Sequence, residues 1–209
     1  MSQFFQIHMD TPQLRLVRQA VEAIHQGAVI VYPTDSGYAL GCHLGDKNAL
    51  DRIREIRQVP PQHNFTLVCS DLSEIAVYAQ VSNTIYRLLR ATTPGPYTFI
   101  LPATREVPRR LQHPKRKTIG IRVPANPIAR ELLRELGEPI MSTTLILPGE
   151  QMPESDPYEI RQRLEHHVDL IIDGGFGSLE PSTVVDFTDD IPVIARQGLG
   201  SIEPFQRHD

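Results

Sequence analysis

The residues of this sequence best suited to chemistry are threonines, serines and arginines set at the ends of apolar runs. They suit recognition and orientation of a ligand more than nucleophilic attack. Residues 29–41 read VIVYPTDSGYALG. Four residues that favour a buried strand run into Pro33, Thr34 and Asp35, so a hydroxyl and a carboxylate stand at the carboxyl end of a strand, where α/β proteins bind ligands. Two glycines follow and let backbone approach a ligand closely. A strand closed by a polar turn accounts for the same segment without any ligand. Arg122 and Ser182 mark two further polar strand ends. Arginine offers a planar fork that can grip a carboxylate with two parallel hydrogen bonds, whereas Ser182 also reads as a simple strand-end cap.

Common nucleotide and hydrolase signatures are absent. The chain has neither G-x-x-x-x-G-K-[ST] nor G-x-G-x-x-G after the first strand, and no serine-hydrolase elbow. No Cys/His spacing suits zinc, and the adjacent His166 and His167 cannot face one ion from a helix, so no metal site is expected. His43 and His63 fall in loops near strand ends, a place compatible with ligand contact, although the plainer reading is lone surface histidines. Two cysteines, Cys42 and Cys69, make no disulfide framework and read as small buried hydrophobes in a reducing, cytoplasmic protein. No apolar run approaches the ~20 residues a membrane span needs, and the N-terminus lacks a basic-then-apolar leader.

A net charge of −4 argues against a protein that grips nucleic acid over its whole surface. The distribution is uneven, however. Arg105, Arg109, Arg110, Lys115, Arg116, Lys117 and Arg122 cluster with Glu106 as the only acid among them, whereas Glu150, Glu154, Asp156, Glu159, Asp186, Asp189 and Asp190 lie elsewhere. One strongly positive face and a merely solvated basic loop are both compatible with this segment.

Those polar positions must be carried by a regular scaffold, and its punctuation is legible. Thr11-Pro12, Asn126-Pro127 and Asp156-Pro157 each pair a capping residue with proline at the first helical position, and Glu159 adds a capping-box acid. The first helix places Leu14, Val17, Val21 and Ile24 on one face and stops at Gly27; a second spans about Asp46 to Arg57 and ends before Pro60. Asp71 with Glu74 starts a third and Ser82 a fourth, and the Asn126 helix ends at Gly137. Between them lie apolar runs expected as strands: 28–32, 65–69, 97–101, 119–123, 140–147, 168–172, 183–187 and 193–196. The alternation predicts an α/β fold of one domain over 1–209, with helices on both faces of a largely buried, mixed sheet.

Taken in order, YPTDSGYALG at 32–41, PGPYTFIL at 94–101, TIGIRVPANP at 118–127, STVVD at 182–186 and ARQG at 195–198 resemble the YrdC/YciO family, with the arrangement closest to its YciO branch. The resemblance spans nearly the whole chain. It implies the YrdC-like twisted mixed sheet with a concave positively charged surface, and the activity of threonylcarbamoyl-AMP synthases, which use threonine, bicarbonate and ATP with Mg²⁺ in the tRNA threonylcarbamoyladenosine pathway. No tightly bound cofactor is implied. It assigns Thr34, Tyr38, Arg122, Ser142 and Ser182 to the substrate, with Arg122 on its carboxylate, and Arg57, Thr118, Thr144 and Arg196 to the nucleotide. In such synthases a carbamate of the substrate attacks the α-phosphate and expels pyrophosphate, so the protein orients and stabilises charge and no nucleophilic side chain is required.

The departures from the family pattern are equally informative. Its K-x-R motif becomes Arg57-Gln58-Val59, with Arg54 nearby, and its S-x-N becomes Thr144-Leu145-Ile146. Ile146 cannot donate or accept hydrogen bonds and reads as core filling. Each lost polar contact to a phosphate costs about 1–3 kcal/mol, which predicts a weak synthase or one acting on an altered substrate. The alternative is a binding module without chemistry, in which Arg109, Arg110, Lys115, Arg116 and Lys117 contact the phosphates of tRNA or double-stranded RNA.

Overall fold

Helix starts follow their caps. In the computed structural model, which describes residues 1–189 and 191–206, Asp46 caps α2 (Lys47–Arg57), Asp71 caps α3 (Leu72–Tyr78) and Ser82 caps α4 (Asn83–Thr92). Asn126 caps α5 (Pro127–Leu136), with its side chain accepting from the N–H groups of Ile128 and Ala129, and Asp156 caps α6 (Pro157–Leu164). Helix α1 (Leu14–His25) is the exception. It opens after Gln13 with no side-chain cap, and Thr11, expected as the cap, instead lies 3.3 Å from the His8 ring. Asp190, counted above among the acids, lies outside the described residues.

The strands are β1 (Gln3–Gln6), β2 (Ile30–Thr34), β3 (Gly37–His43), β4 (Thr66–Val68) and β5 (Tyr97–Pro102). They continue with β6 (Thr118–Arg122), β7 (Ile140–Thr144), β8 (Leu170–Asp173), β9 (Thr183–Asp186) and β10 (Val193–Arg196). All ten join one mixed sheet in the order β1-β8-β2-β3-β7-β4-β6-β5-β9-β10. The expected α/β architecture is therefore present, with two strands added to it, β1 and β3.

Strand β3 corrects the reading of the opening motif. Residues 37–43 return antiparallel along β2, with Thr34 opposite Gly37, so PTDSG is a tight hairpin and YALG is strand. Gly37 turns the hairpin with φ of +92°, a conformation that favours glycine. Gly41 makes room for protein rather than ligand: a Cβ there would sit 2.7 Å from Ile140 and 2.8 Å from the Tyr32 ring.

Successive strand residues point to opposite faces, and the two faces have separate fates. One is buried in the larger core, where Val29, Val31, Tyr38, Leu40, Leu67, Phe99, Ile121 and Met141 pack with residues of α2, α3, α4 and α6. Cys42 and Cys69 are free and buried in that core, and burial pushes the Cys42 thiol up to about 12. The other face is only partly covered. Helices α1 and α5 lie on Ile30, Tyr32, Ala39, Val68, Ile140, Leu170 and Ile172, supplying Val17, Ile24, Ile128 and Leu132. No helix among the described residues is long and apolar enough to cross a membrane.

Candidate functional site

Where α1 and α5 stop, the same sheet face continues as a floor of polar and small residues. Strand register lines them up: Thr66 lies beside Gly120 and Ser142, Gly120 beside Ile100, and Thr98 beside Val184. Together with Thr118, Arg122 and Thr144 they line a cavity of about 410 Å³, walled by Arg57, His63, His113, Arg116, Ser182 and Arg196. Among the described residues no aspartate or glutamate lines it. The cavity runs along the strands: from Arg122 to Thr118 is four residues of β6, about 13 Å.

At one end Arg122 is the group most in need of a partner. It is 6% exposed, donates from Nη2 to Ser36 Oγ at 2.9 Å, and its Nε has no hydrogen-bond partner among the described residues. Among the described residues it forms no ion pair. Burial holds its guanidinium below its ordinary pKa; Asp35 and Tyr32 oppose that shift and Arg196 adds to it. The β2–β3 hairpin aims this residue. Asp35 accepts the Ala125 N–H at 3.0 Å, and Ser36, 2% exposed, holds the guanidinium. Beside them Ser182 Oγ lies 2.8 Å from Thr98 Oγ1, and Arg196 donates to the Ser182 carbonyl from Nη2 at 2.8 Å and from Nε at 3.1 Å.

At the other end Arg57, the last residue of α2, donates to the Thr144 carbonyl and lies 3.5 Å from Thr143 Oγ1. Its Nε is also buried without a partner among the described residues, and burial lowers its pKa. His63 Nε2 lies 3.0 Å from the same Thr143 hydroxyl. Burial, then the charges of Arg57 and Arg54, hold the imidazole below its ordinary value. Arg116 reaches Asp186 at 3.0 Å, and the His113 ring accepts the Arg116 N–H at 3.1 Å.

Of the residues assigned from sequence, Arg57, Thr118, Arg122, Ser142, Thr144, Ser182 and Arg196 all line this cavity. Ser142 has its hydroxyl engaged, accepting from Tyr32 at 2.8 Å and donating to the Leu40 carbonyl at 2.9 Å. Thr34 and Tyr38 are not among the lining residues. The Thr34 hydroxyl closes the hairpin by donating to the Gly37 carbonyl at 2.7 Å. Tyr38 points into the larger core, as alternation with Ala39 requires, and its hydroxyl donates to the Gly175 carbonyl at 2.6 Å. Both shape the wall from behind.

Three further corrections follow. Ile146, expected as core filling, is half-buried and lines the cavity as an apolar edge. Arg54, considered as help for the lost lysine, pairs with Asp51 at 2.8 Å outside the cavity. Asp186 does not stand apart from the basic segment but anchors its Arg116. Arg109, Arg110, Lys115 and Lys117 are exposed outside the cavity, with Arg110 bonded to the Gly45 carbonyl. Sequence reasoning passed over Ser36, and it read His63 more plainly as a lone surface histidine than as a ligand contact, whereas it lines the cavity. Ser36 carried no signal beyond the turn, whereas His63 stood two residues before a strand.

A second histidine is also not alone. His43 Nε2 lies 2.6 Å from Glu138, and His25 joins them with ligand atoms within 4.8 Å of one another. This group sits at the opposite end of β3 and β7 from the cavity. Among the described residues the cavity itself offers no carboxylate to a hard divalent cation.

Comparison with known proteins follows the same lines. Residues 22–198 match the family model Sua5_yciO_yrdC, described as telomere recombination. The chain is 62% identical to Uncharacterized protein YciO of Escherichia coli K12 over 98% of this chain and all of that one. It is 30% identical to Threonylcarbamoyl-AMP synthase of Vibrio vulnificus over 81% and 92% of the two chains. The crystal structure of E. coli YciO superposes with a TM-score of 0.95 at 61% identity, covering 99% of this chain and 100% of that one. P. abyssi Sua5 complexed with L-threonine superposes at 0.85 and 26% identity, over 93% of this chain and 57% of the other. The chain belongs to the Sua5/YciO/YrdC family.

Proposed function

We propose that this family member binds ATP and threonine in the open half of its sheet and forms threonylcarbamoyl-AMP weakly, or acts on an altered substrate. One observation carries the reading: Arg122, a buried guanidinium with an Nε unpartnered among the described residues, ends a cavity that no described acid lines. A desolvated cation without a counter-charge is costly unless an anion completes it. A carboxylate held in its fork, with Ser36 fixing the approach, meets that need. The relative solved with L-threonine supports the choice of ligand. Thr118, Thr144, Arg57 and Arg196 then face the nucleotide, and Ser182 with Thr98 supplies hydroxyls beside Arg196.

The weakness follows from the walls. Val59, at the arginine position of K-x-R, is not among the lining residues, and Ile146 puts a methyl surface where the family has an amide. A resident Mg²⁺ does not fit the described lining, because no carboxylate is among those residues; any Mg²⁺ comes as part of the ATP substrate. Purified protein given ATP, threonine, bicarbonate and Mg²⁺ is expected to release pyrophosphate slowly and only with threonine present. No release at high enzyme concentration overturns the catalytic reading.

The exposed Arg109, Arg110, Lys115 and Lys117 favour a second reading as a tRNA or double-stranded RNA binder. Its affinity should fall steeply with salt, since each neutralised phosphate releases counterions. Salt-independent binding, or binding that survives removal of these four, overturns it.

A further inference from the structure

The cavity has two cationic ends, and only one is accounted for by a threonine carboxylate. Arg57, His63 and Thr143 come from the end of α2, the loop before β4 and the end of β7, and they converge on a single hydroxyl. The Arg57 guanidinium keeps an unpartnered buried Nε and no ion pair among the described residues, although it already bonds the Thr144 carbonyl. His63 is half-buried, with its ring edge-on to Phe65 at 5.3 Å, which fixes the imidazole plane.

We propose that His63, Thr143 and Arg57 form a second anion subsite, taking the terminal phosphate groups of the nucleotide at the end of the cavity opposite Arg122, with His63 gaining a proton as the anion enters. The proposal rests on the nucleotide reading above and names the residues that replace the charge missing at Val59. With Nε2 unprotonated, the Thr143 hydroxyl donates to it. Protonation of Nε2 from solvent reverses that bond, so His63 donates and the Thr143 hydrogen is released to face the phosphate. Arg57 adds a donor that stays charged throughout.

The groups facing His63 make it responsive. Arg54 and Arg57 from α2 both disfavour its proton, as does burial, and no carboxylate is among the influences on it. An incoming phosphate dianion reverses that field, so binding and protonation are coupled. The ligand-free site disfavours the proton on His63, and the filled site favours it.

Pyrophosphate is the probe, titrated calorimetrically into the whole protein from about pH 8 to about pH 6, the range in which an imidazole changes charge. Relative to His63→Gln, wild type is expected to tighten on acidification by roughly 10-fold or more, the worth of one charge-assisted hydrogen bond. Because the ligand's own titration is common to both proteins, it divides out of that ratio. The His63 ring resonances should show its pKa rising when pyrophosphate is added. A ratio that stays flat with pH, or a ring pKa that does not rise, overturns the proposal. So does an Arg122→Gln variant that loses pyrophosphate as fully as Arg57→Gln, because the cavity would then have one anion end. The two readings fail separately. Threonine-dependent pyrophosphate release without His63 dependence sinks only the subsite, and pH-coupled pyrophosphate binding without turnover sinks only the synthase.

Discussion

Helices α1 and α5 rest on Ile30, Tyr32, Ile140, Leu170 and Ile172 in one half of a sheet face, whereas the other half presents Thr66, Thr98, Thr118, Arg122 and Ser142 to a cavity. The strands cross from one half to the other without a break. Strand β7 is apolar at Ile140 and polar two residues later at Ser142 on the same side. Tyr32 marks the boundary, packed under the helices while its hydroxyl reaches Ser142. The covered half stabilises the fold by removing apolar surface from water. The open half presents polar groups to a cavity, so apolar packing and an open polar floor lie on one surface in adjacent residues.

That contrast can be broken first on the covered side. Leu132→Ala in α5 should cost ~2–5 kcal/mol in urea unfolding through the cavity it leaves, while the folded variant binds threonine as tightly as wild type. Equal losses in both would show that the halves are not independent. Arg122→Met on the open side should do the converse. Threonine affinity should fall about 10- to 100-fold by calorimetry, while the ligand-free protein melts no lower than wild type, since replacing an unpaired buried charge by an apolar chain is often neutral or stabilising.

At the boundary, Gly41→Ala pushes a methyl against Tyr32 and Ile140. It should destabilise by about 1–3 kcal/mol and also loosen Ser142, visible as joint loss of melting temperature and ligand affinity. Thr118→Val is a smaller probe of the floor, with ATP affinity down by roughly 1 kcal/mol for one hydrogen bond and little change in stability.

The smallest effect is pH. His63 has its pKa lowered in the fold, so the unfolded chain binds that proton more readily, and ligand-free stability falls as pH drops below the ordinary imidazole value. His63→Gln should flatten this slope in melting experiments, and a slope unchanged by the substitution would remove His63 from the account.

Much of the scaffold was legible because apolar runs and caps are local signals. Five helix starts stood at their capping residues, and the eight expected strands all formed. Strand β1 escaped because QFFQ is short and half-exposed, pairing only at the sheet edge with β8. Strand β3 escaped because Gly37 and Gly41 read as ligand-approach glycines, although they serve a turn and a packed tyrosine ring. Seven of the nine substrate and nucleotide positions fell on the cavity through the family pattern. Tyr38 did not, yet period-two alternation with Leu40 and Cys42 already placed it on the core side. What sequence could not give was convergence: Ser36 on Arg122, or His63 and Arg57 on Thr143, joins positions about 80 or more residues apart.

The hairpin tip that holds Arg122 has a consequence for the order of events in the life of the chain. Ser36 and Asp35 reach partners 86 and 90 positions further along, and the cavity is complete only when Ser182 and Arg196 arrive. A chain still being synthesised therefore carries every residue of its first wall long before it can hold anything. On the binding reading proposed above, ligand capture would begin only after the last strand docks, and would then selectively retain finished molecules, because what binds the native state alone draws the population toward it.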